Sequence, residues 1–233
     1  MQTTCPEGEK PRMPCEKTVP CLEVWLSRLP ETVQAQPVYP PERAMETERV
    51  QNDALRRRKI WDWRVLDQLV RARLGRRMED MRFTKSAEGK WLCDDLCLSL
   101  SHSDNWVAAA ISDKAVGADI EEVSAAQKRR FERIAHRILN DEEKLLFAQA
   151  DALTLLGVWT RKESLYKMNG SGAFAPQSLS SLDEHTKTYL ILGEVLLSVS
   201  ALSNAPLRVC LWDEDGIKPT SLREADVLPK FKE

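Results

Sequence analysis

Three short motifs contain the side chains with the clearest chemical potential, and the first of them is Gly117-Ala118-Asp119-Ile120-Glu121. Alternation along a strand places Asp119 and Glu121 on one face and Ile120 on the other. Two neighbouring carboxylates repel each other, and a hard divalent cation would convert that repulsion into binding. The alternative interpretation is an exposed strand face that binds nothing.

The second motif is the nine-residue segment WTRKESLYK, residues 159–167, within a predicted helix. Glu163 and Lys167 are four residues apart, an arrangement that on a solvated helix contributes only a few tenths of a kcal/mol. Trp159 lies on the same stripe of the helix, so this face should be partly buried. A half-buried Glu beside a Lys indicates a functional site, and a simple surface pair remains the alternative.

The third motif, Ser101-His102-Ser103-Asp104, follows a predicted strand, where ligand-binding residues are often found. A histidine at this position could hydrogen-bond a phosphate. A hydrolase triad is a second interpretation, but the members of a triad usually converge from separate segments of the chain. A structural turn without chemistry is the third.

Hydrophobic periodicity predicts the elements that must position these motifs. The strands are expected at residues 22–26, 96–100, 106–111, 116–120, 189–192, 195–200 and 207–212. The helices are expected at residues 42–74, 125–139, 141–150 and 152–168, with Gly75 and Gly170 at the ends of the first and the last. This order of elements is typical of an α+β protein.

Composition excludes several classes of protein. With 34 Lys+Arg against 36 Asp+Glu the net charge is −2, unlike that of a protein that coats nucleic acid or a membrane surface. There is no apolar run of roughly 18 residues, as a membrane helix requires. The six cysteines form no CxxC pair, which favours reduced thiols in the cytoplasm.

Positive charge is nevertheless concentrated in one segment. Residues 51–85 contain eleven Lys/Arg and five Asp/Glu, a local balance of 11 − 5 = +6. A solvated helix face is one interpretation, and a docking surface for an anion is the other.

Together, the order and separation of the three motifs resemble the 4′-phosphopantetheinyl transferases of the surfactin-synthetase-activating type. Members show Ser-His-Ser after a strand, then G-x-D-x-E, then W-x-x-K-E-x-x-x-K. The resemblance covers about residues 42–175 and includes residues 60–64, where members often have an F-L-A-G-R-like segment. This chain has Gly89-Lys90-Trp91 where members commonly have Gly-Lys-Pro.

The resemblance implies two similar α/β half-domains related by a pseudo-twofold, with the active site between them. The half-domains would then span residues 21–114 and 115–233. Residues 1–20, which are rich in proline, are expected to be a flexible leader.

The resemblance also implies an activity, namely transfer of the 4′-phosphopantetheine arm of coenzyme A to a serine of an apo acyl, peptidyl or polyketide carrier, with release of adenosine 3′,5′-bisphosphate. Mg²⁺ would be the cofactor. The implied metal ligands are Asp119, Glu121 and Glu163; the implied catalytic residues are Glu163 as base and Lys167 at the leaving phosphate; and the implied coenzyme A ligands are His102, Lys90, Arg64 and Ser101.

The protein is expected to be a cytoplasmic monomer without nucleic-acid or membrane partners. Two rival functions use the same residues. One is a metal-dependent phosphohydrolase that directs these carboxylates at water, and the other is a non-catalytic homologue that binds coenzyme A without turnover. The sequence does not indicate whether the carrier belongs to fatty acid, polyketide or nonribosomal peptide synthesis.

Overall fold

A computed structural model of the protein describes residues 21–33, 40–170 and 172–220. The leader predicted at residues 1–20 lies outside the described residues. The strands are β1 Leu22–Arg28, β2 Phe83–Lys85, β3 Trp91–Cys93, β4 Cys97–His102, β5 Trp106–Ser112, β6 Val116–Glu122, β7 Thr186–Ile191, β8 Val195–Ala201, β9 Leu207–Asp213 and β10 Gly216–Pro219. The helices are α1 Pro41–Glu48, α2 Asp53–Leu74, α3 Ala125–Ile138, α4 Asp141–Leu146 and α5 Ala152–Asn169. The predicted α+β class is confirmed.

Two larger sheets and a small hairpin organise the strands. The first sheet has the order β10-β9-β1-β5-β4, with β1 antiparallel to β5 and parallel to β9. The second has the order β6-β8-β7 and is antiparallel throughout. Strands β2 and β3 form the hairpin, which the sequence did not predict.

The elements stack in layers around three apolar clusters. Helix α2 packs Trp61, Leu66 and Leu69 against one face of the five-stranded sheet. The other face of that sheet packs against the three-stranded sheet, where Val24 and Ile120 belong to the same cluster. Helices α3 and α5 cover the far side of the three-stranded sheet. Each sheet therefore packs through apolar side chains on both of its faces, against the other sheet on one face and against helices on the other.

The single basic helix predicted for residues 42–74 is wrong, because the structure has two helices there. The side chain of Asn52 accepts a hydrogen bond from the Leu55 amide at 2.9 Å and caps the start of α2. Gly75 ends α2 in the left-handed conformation, with φ 63°, as predicted. The chain can turn between α1 and α2 because the cap satisfies a backbone group that a new helix leaves unpaired.

Helix α5 is buried on most of its sides, including positions occupied by polar residues. Thr160, Lys162 and Ser164 are inaccessible to solvent. The Thr160 hydroxyl lies 2.8 Å from Ser198 Oγ on β8, and the Ser164 hydroxyl lies 2.8 Å from Ser200 Oγ. Buried polar groups need such partners, so hydrogen bonds fix α5 against the sheet.

The last two strands depart from the predicted division of the chain at residue 114. Strands β9 and β10 follow that point in sequence, yet they extend the sheet that contains β1, β4 and β5. This pairing joins residues about 180 positions apart, as Val24 with Val209, which local sequence patterns do not indicate. Within the described residues, no helix has both the length and the apolarity needed to cross a membrane.

Candidate active site

The candidate site lies where β4, β6 and α5 meet, and Gly117 allows the close contact between β6 and α5. A Cβ atom at Gly117 would lie 1.9 Å from the backbone oxygen of Ser164 and 2.4 Å from the amide nitrogen of Met168. Such distances exclude any side chain, so glycine is needed here for close backbone approach. This contact brings Glu163 and Lys167 of α5 towards the carboxylates of β6.

Asp119 is at the centre of the site and is 5% exposed. Its Oδ1 accepts hydrogen bonds from Ser101 Oγ at 2.8 Å and from Lys167 Nζ at 2.7 Å. Its Oδ2 is buried and has no hydrogen-bond partner among the described residues. One oxygen of this carboxylate is therefore bound, and the other still lacks a cation or donor.

Glu121 and Glu163 both have raised pKa values, as expected where carboxylates lie close together. Burial, followed by the charge of Asp119, raises the pKa of Glu121 to about 8. The same two causes, in the same order, raise the pKa of Glu163 to about 7. Lys167 Nζ lies 4.0 Å from Glu163 Oε2 and opposes this effect. Three carboxylates thus share one site with too little positive charge to neutralise them.

These contacts contradict the simpler interpretations of the motifs. Asp119 does not lie on an exposed strand face, because it is buried against α5. Glu163 and Lys167 are not a solvated pair, since their side chains are only 23% and 24% exposed and Lys167 binds Asp119.

The hydrolase triad is also wrong, because its three members have other partners and directions. The Ser101 hydroxyl binds Asp119, and Asp104 pairs with Arg58 at 3.2 Å. His102 follows Ser101 along β4, so the two side chains point to opposite faces of the strand. No Ser–His–Asp relay can form from these positions.

The oxygen donors at this site suit Mg²⁺, although the described side chains do not already form a complete coordination shell. The described residues contain no group of three or more His, Cys, Asp and Glu side chains arranged to hold a metal ion. Mg²⁺ does not require one, because it is usually held by one or two carboxylates, waters and substrate phosphates. The unpartnered Asp119 Oδ2 and the raised pKa values of Glu121 and Glu163 identify the oxygens that a cation would stabilise.

His102 faces a cluster of positive charges rather than the carboxylates. Its side chain reaches solvent, but the surrounding protein removes water from part of the ring. This desolvation, together with the charges of Lys167, Arg58, Lys59 and Arg43, lowers the pKa of His102 to about 4. Desolvation is the largest cause of the shift, and the four nearby cations are the part of this environment that favours an anion.

Of the other two predicted coenzyme A ligands, Lys90 lies beside the site and Arg64 lies farther away. Lys90 donates a hydrogen bond to the backbone oxygen of Lys167 and lines a cavity of about 260 Å³ beside the site. Arg64 stacks on Trp61 at 5.1 Å and lies 3.8 Å from Glu214. Glu214 follows β9, near the edge of the sheet opposite to β4, so Arg64 is not brought together with His102.

Two buried ion pairs near the site were not predicted from the sequence. Lys162 Nζ binds Glu143 and the backbone oxygens of Ile138 at 2.7 Å and Pro176 at 2.9 Å, and both charged side chains are 0% exposed. Arg43 pairs with Asp62 at 3.0 Å. Lys162 directly precedes Glu163 in the second motif, and this position beside a candidate site residue is what could have indicated the pair from the sequence. Nothing comparable in the sequence marks Arg43.

Two comparisons relate the chain to known proteins, and one of them covers the part that contains the carboxylates. A model of the 4′-phosphopantetheinyl transferase superfamily matches residues 115–205. The chain is similar to "4′-phosphopantetheinyl transferase gsp" from Aneurinibacillus migulanus, with 33% identity over 113 residues. That alignment covers 46% of this chain and 46% of the relative, so the chain spans about half the length of the curated relative it matches. The resemblance inferred from the motifs is confirmed.

Proposed function

We propose that this protein transfers the 4′-phosphopantetheine arm of coenzyme A to a serine of an apo carrier protein, because residues 115–205 match a model of the 4′-phosphopantetheinyl transferase superfamily. Adenosine 3′,5′-bisphosphate is the second product. The observation that carries this proposal is the convergence of Asp119, Glu163 and Lys167 from β6 and α5 on one buried site.

The proposed reaction needs a base for the carrier serine, and Glu163 is the best candidate. Burial and the charge of Asp119 raise its pKa, and an ionised carboxylate in such surroundings accepts a proton more readily than an ordinary glutamate does. Glu163 could act directly or through a water that it holds. Its partial exposure, 23% of the side chain, leaves it accessible from the solvent side.

Lys167 is suited to stabilise charge on the departing phosphate. Its ammonium lies between Asp119 at 2.7 Å and Glu163 at 4.0 Å and also contacts Ser101 at 3.0 Å. Fixed partners on both sides limit the directions in which Nζ can point. A positioned cation contributes most where charge develops in the transition state.

Asp119, Glu121 and Glu163 would hold Mg²⁺. When bound, the ion neutralises the negative charge of the pyrophosphate, which otherwise repels an attacking hydroxyl. Ser101 contributes indirectly, because its hydroxyl holds Asp119 Oδ1 and accepts a hydrogen bond from the Ile120 amide at 3.3 Å. We therefore assign Ser101 to the support of the carboxylate as well as to the coenzyme A side of the site.

Coenzyme A is proposed to bind along the N-terminal side of the same site. The cations around His102 suit its phosphates, since they belong to α1, α2 and α5 and surround one exposed ring. The cavity of about 260 Å³ beside Lys167 has apolar walls that include Trp91, Leu98 and Leu100 and could take an uncharged part of the molecule. The role that the resemblance implies for Arg64 stays a prediction, and its contacts with Trp61 and Glu214 lie towards the other edge of the five-stranded sheet.

The basic segment 51–85 is proposed to attract the acidic surface of a carrier or the coenzyme A phosphates. The same proposal includes three further expectations. The two halves of the chain are related by a pseudo-twofold axis, the protein is a monomer, and it is located in the cytoplasm. Size-exclusion chromatography of the purified protein measures the oligomeric state.

The proposal is tested by incubating the protein with coenzyme A, Mg²⁺ and apo carriers from fatty acid, polyketide and nonribosomal peptide synthesis, then weighing each carrier by mass spectrometry. We expect at least one carrier to gain the mass of the arm. Asp119→Asn should lose this activity, and Glu132→Gln, which changes an exposed residue of α3, should keep it.

Two other outcomes would contradict the proposal. Release of the bisphosphate without any carrier would identify a phosphohydrolase, and binding of coenzyme A without either product would identify a non-catalytic protein.

A further inference from the structure

Lys90 contacts the C-terminal end of α5, although the two are far apart in sequence. It immediately precedes β3, and its Nζ donates a hydrogen bond to the backbone oxygen of Lys167. A Cβ atom at Gly170, which ends α5 with φ 67°, would lie 3.4 Å from Lys90 Nζ and Cδ. The side chain of Lys90 is therefore packed over the last turn of the helix.

The end of a helix is a favourable place for this ammonium group. The last four carbonyls of a helix lack partners within the helix, and the carbonyl of Lys167 is one of these in α5. The partial negative charge at a helix C-terminus also attracts a cation. In the described part of the chain, no carboxylate forms an ion pair with Lys90, and the carbonyl of Lys167 at the helix end is the negative group that it contacts.

We propose that Lys90 is a positioning residue, which ties the segment before β3 to the last turn of α5 and thereby fixes the backbone of Lys167. This inference rests on the proposed function, in which Lys167 acts on the leaving phosphate. It differs from the phosphate contact that the family resemblance implies for Lys90. A phosphate ligand acts on coenzyme A binding, whereas a positioning residue acts on the rate of the chemical step.

The test compares Lys90→Met with the parent by transfer kinetics and by hydrogen exchange of the α5 amides without any substrate. We expect kcat to fall about tenfold, because small displacements of a catalytic group are costly, and KM for coenzyme A to stay within about twofold of the parent. Exchange in the last turn of α5 should become about two- to fivefold faster, the range given by loss of a charge at a helix end.

Two further variants make the comparison specific. Lys90→Arg retains a cation that can donate to the same carbonyl, and it should restore most of kcat and of the exchange protection. Lys187→Met removes an exposed lysine from β7, away from α5, and should change neither.

A KM for coenzyme A that rises about tenfold, with kcat and exchange unchanged, would overturn the inference and make Lys90 a substrate ligand. Unchanged exchange in Lys90→Met would also overturn it, whatever the kinetics. If the parent transfers no arm to any carrier, the proposed function fails, while the exchange measurement still decides whether Lys90 holds the end of α5.

Discussion

Helices α2 and α5 both contribute to the proposed site, but different forces hold them in place. Helix α2 buries mainly apolar side chains such as Leu66 and Leu69 against the five-stranded sheet, and its buried charged residue, Asp62, pairs with Arg43. Helix α5 buries Thr160, Lys162 and Ser164, each with hydrogen-bond partners. Apolar contacts tolerate changes that keep volume, whereas hydrogen bonds also fix direction. The helix that carries the proposed reacting groups is the one whose buried face contains the run of hydrogen-bonded polar side chains.

The largest effect is expected for Lys162→Met, which removes one charge of the buried pair on α5. Glu143 would remain buried without its cation, at a cost of about 3–5 kcal/mol in the free energy of unfolding. Urea unfolding followed by circular dichroism measures this loss. Lys144→Met is the matched control, because Lys144 pairs with Asp141 at the surface and should change stability by less than about 1 kcal/mol. Equal stability of Lys162→Met and the parent would contradict this account of α5.

For α2 we expect a loss of stability whose lower bound is smaller than for Lys162→Met and whose size depends on side-chain volume. Leu66→Ala removes a fully buried side chain and should cost about 2–5 kcal/mol, while Leu66→Met should cost less than about 1.5 kcal/mol. Below the denaturation midpoint, both variants should transfer the arm at near-parental kcat. A large loss of kcat in Leu66→Met, with the protein folded, would show that α2 is as directionally constrained as α5.

The smallest expected effect concerns pH and His102, which faces Lys167 on α5, Arg58 and Lys59 on α2 and Arg43 on α1. The unfolded chain takes up this proton near pH 6.5, whereas the folded protein takes it up only near pH 4. The contribution to stability is therefore present above the unfolded pKa and is lost as the pH falls between these values. Because the ring is exposed, we expect no more than about 1 kcal/mol. His102→Gln should flatten the pH dependence of stability between pH 4 and 6.5. If the slope of stability against pH were the same as in the parent, His102 would not be the group with the lowered pKa.

The sequence predicted those features that depend on local patterns. The apolar face of α2, the strands around Asp119 and the glycines that end α2 and α5 were all indicated by periodicity or by a residue with special backbone freedom. The three motifs identified the carboxylates and Lys167 before any coordinates, because the residue types themselves carry the chemistry.

Other features depend on contacts between distant residues. The parallel pairing of β1 with β9 and the position of Arg64 near Glu214 arise from tertiary structure and have no local pattern. The buried polar side of α5 was also not predicted, since Thr160 and Ser164 in a helix usually indicate a solvated side. Their partners, Ser198 and Ser200, lie more than 30 residues away.

If α5 carries the reacting groups for phosphopantetheinyl transfer, Glu163→Gln should remove most of the activity. This change keeps the shape of the side chain and removes its charge and basicity. With coenzyme A, Mg²⁺ and a carrier that the parent modifies, we predict a loss of about 10²-fold or more in the transfer rate measured by mass spectrometry. The variant should unfold like the parent, and Glu132→Gln should transfer normally. A folded Glu163→Gln protein that modifies the carrier at a near-parental rate would contradict the claim.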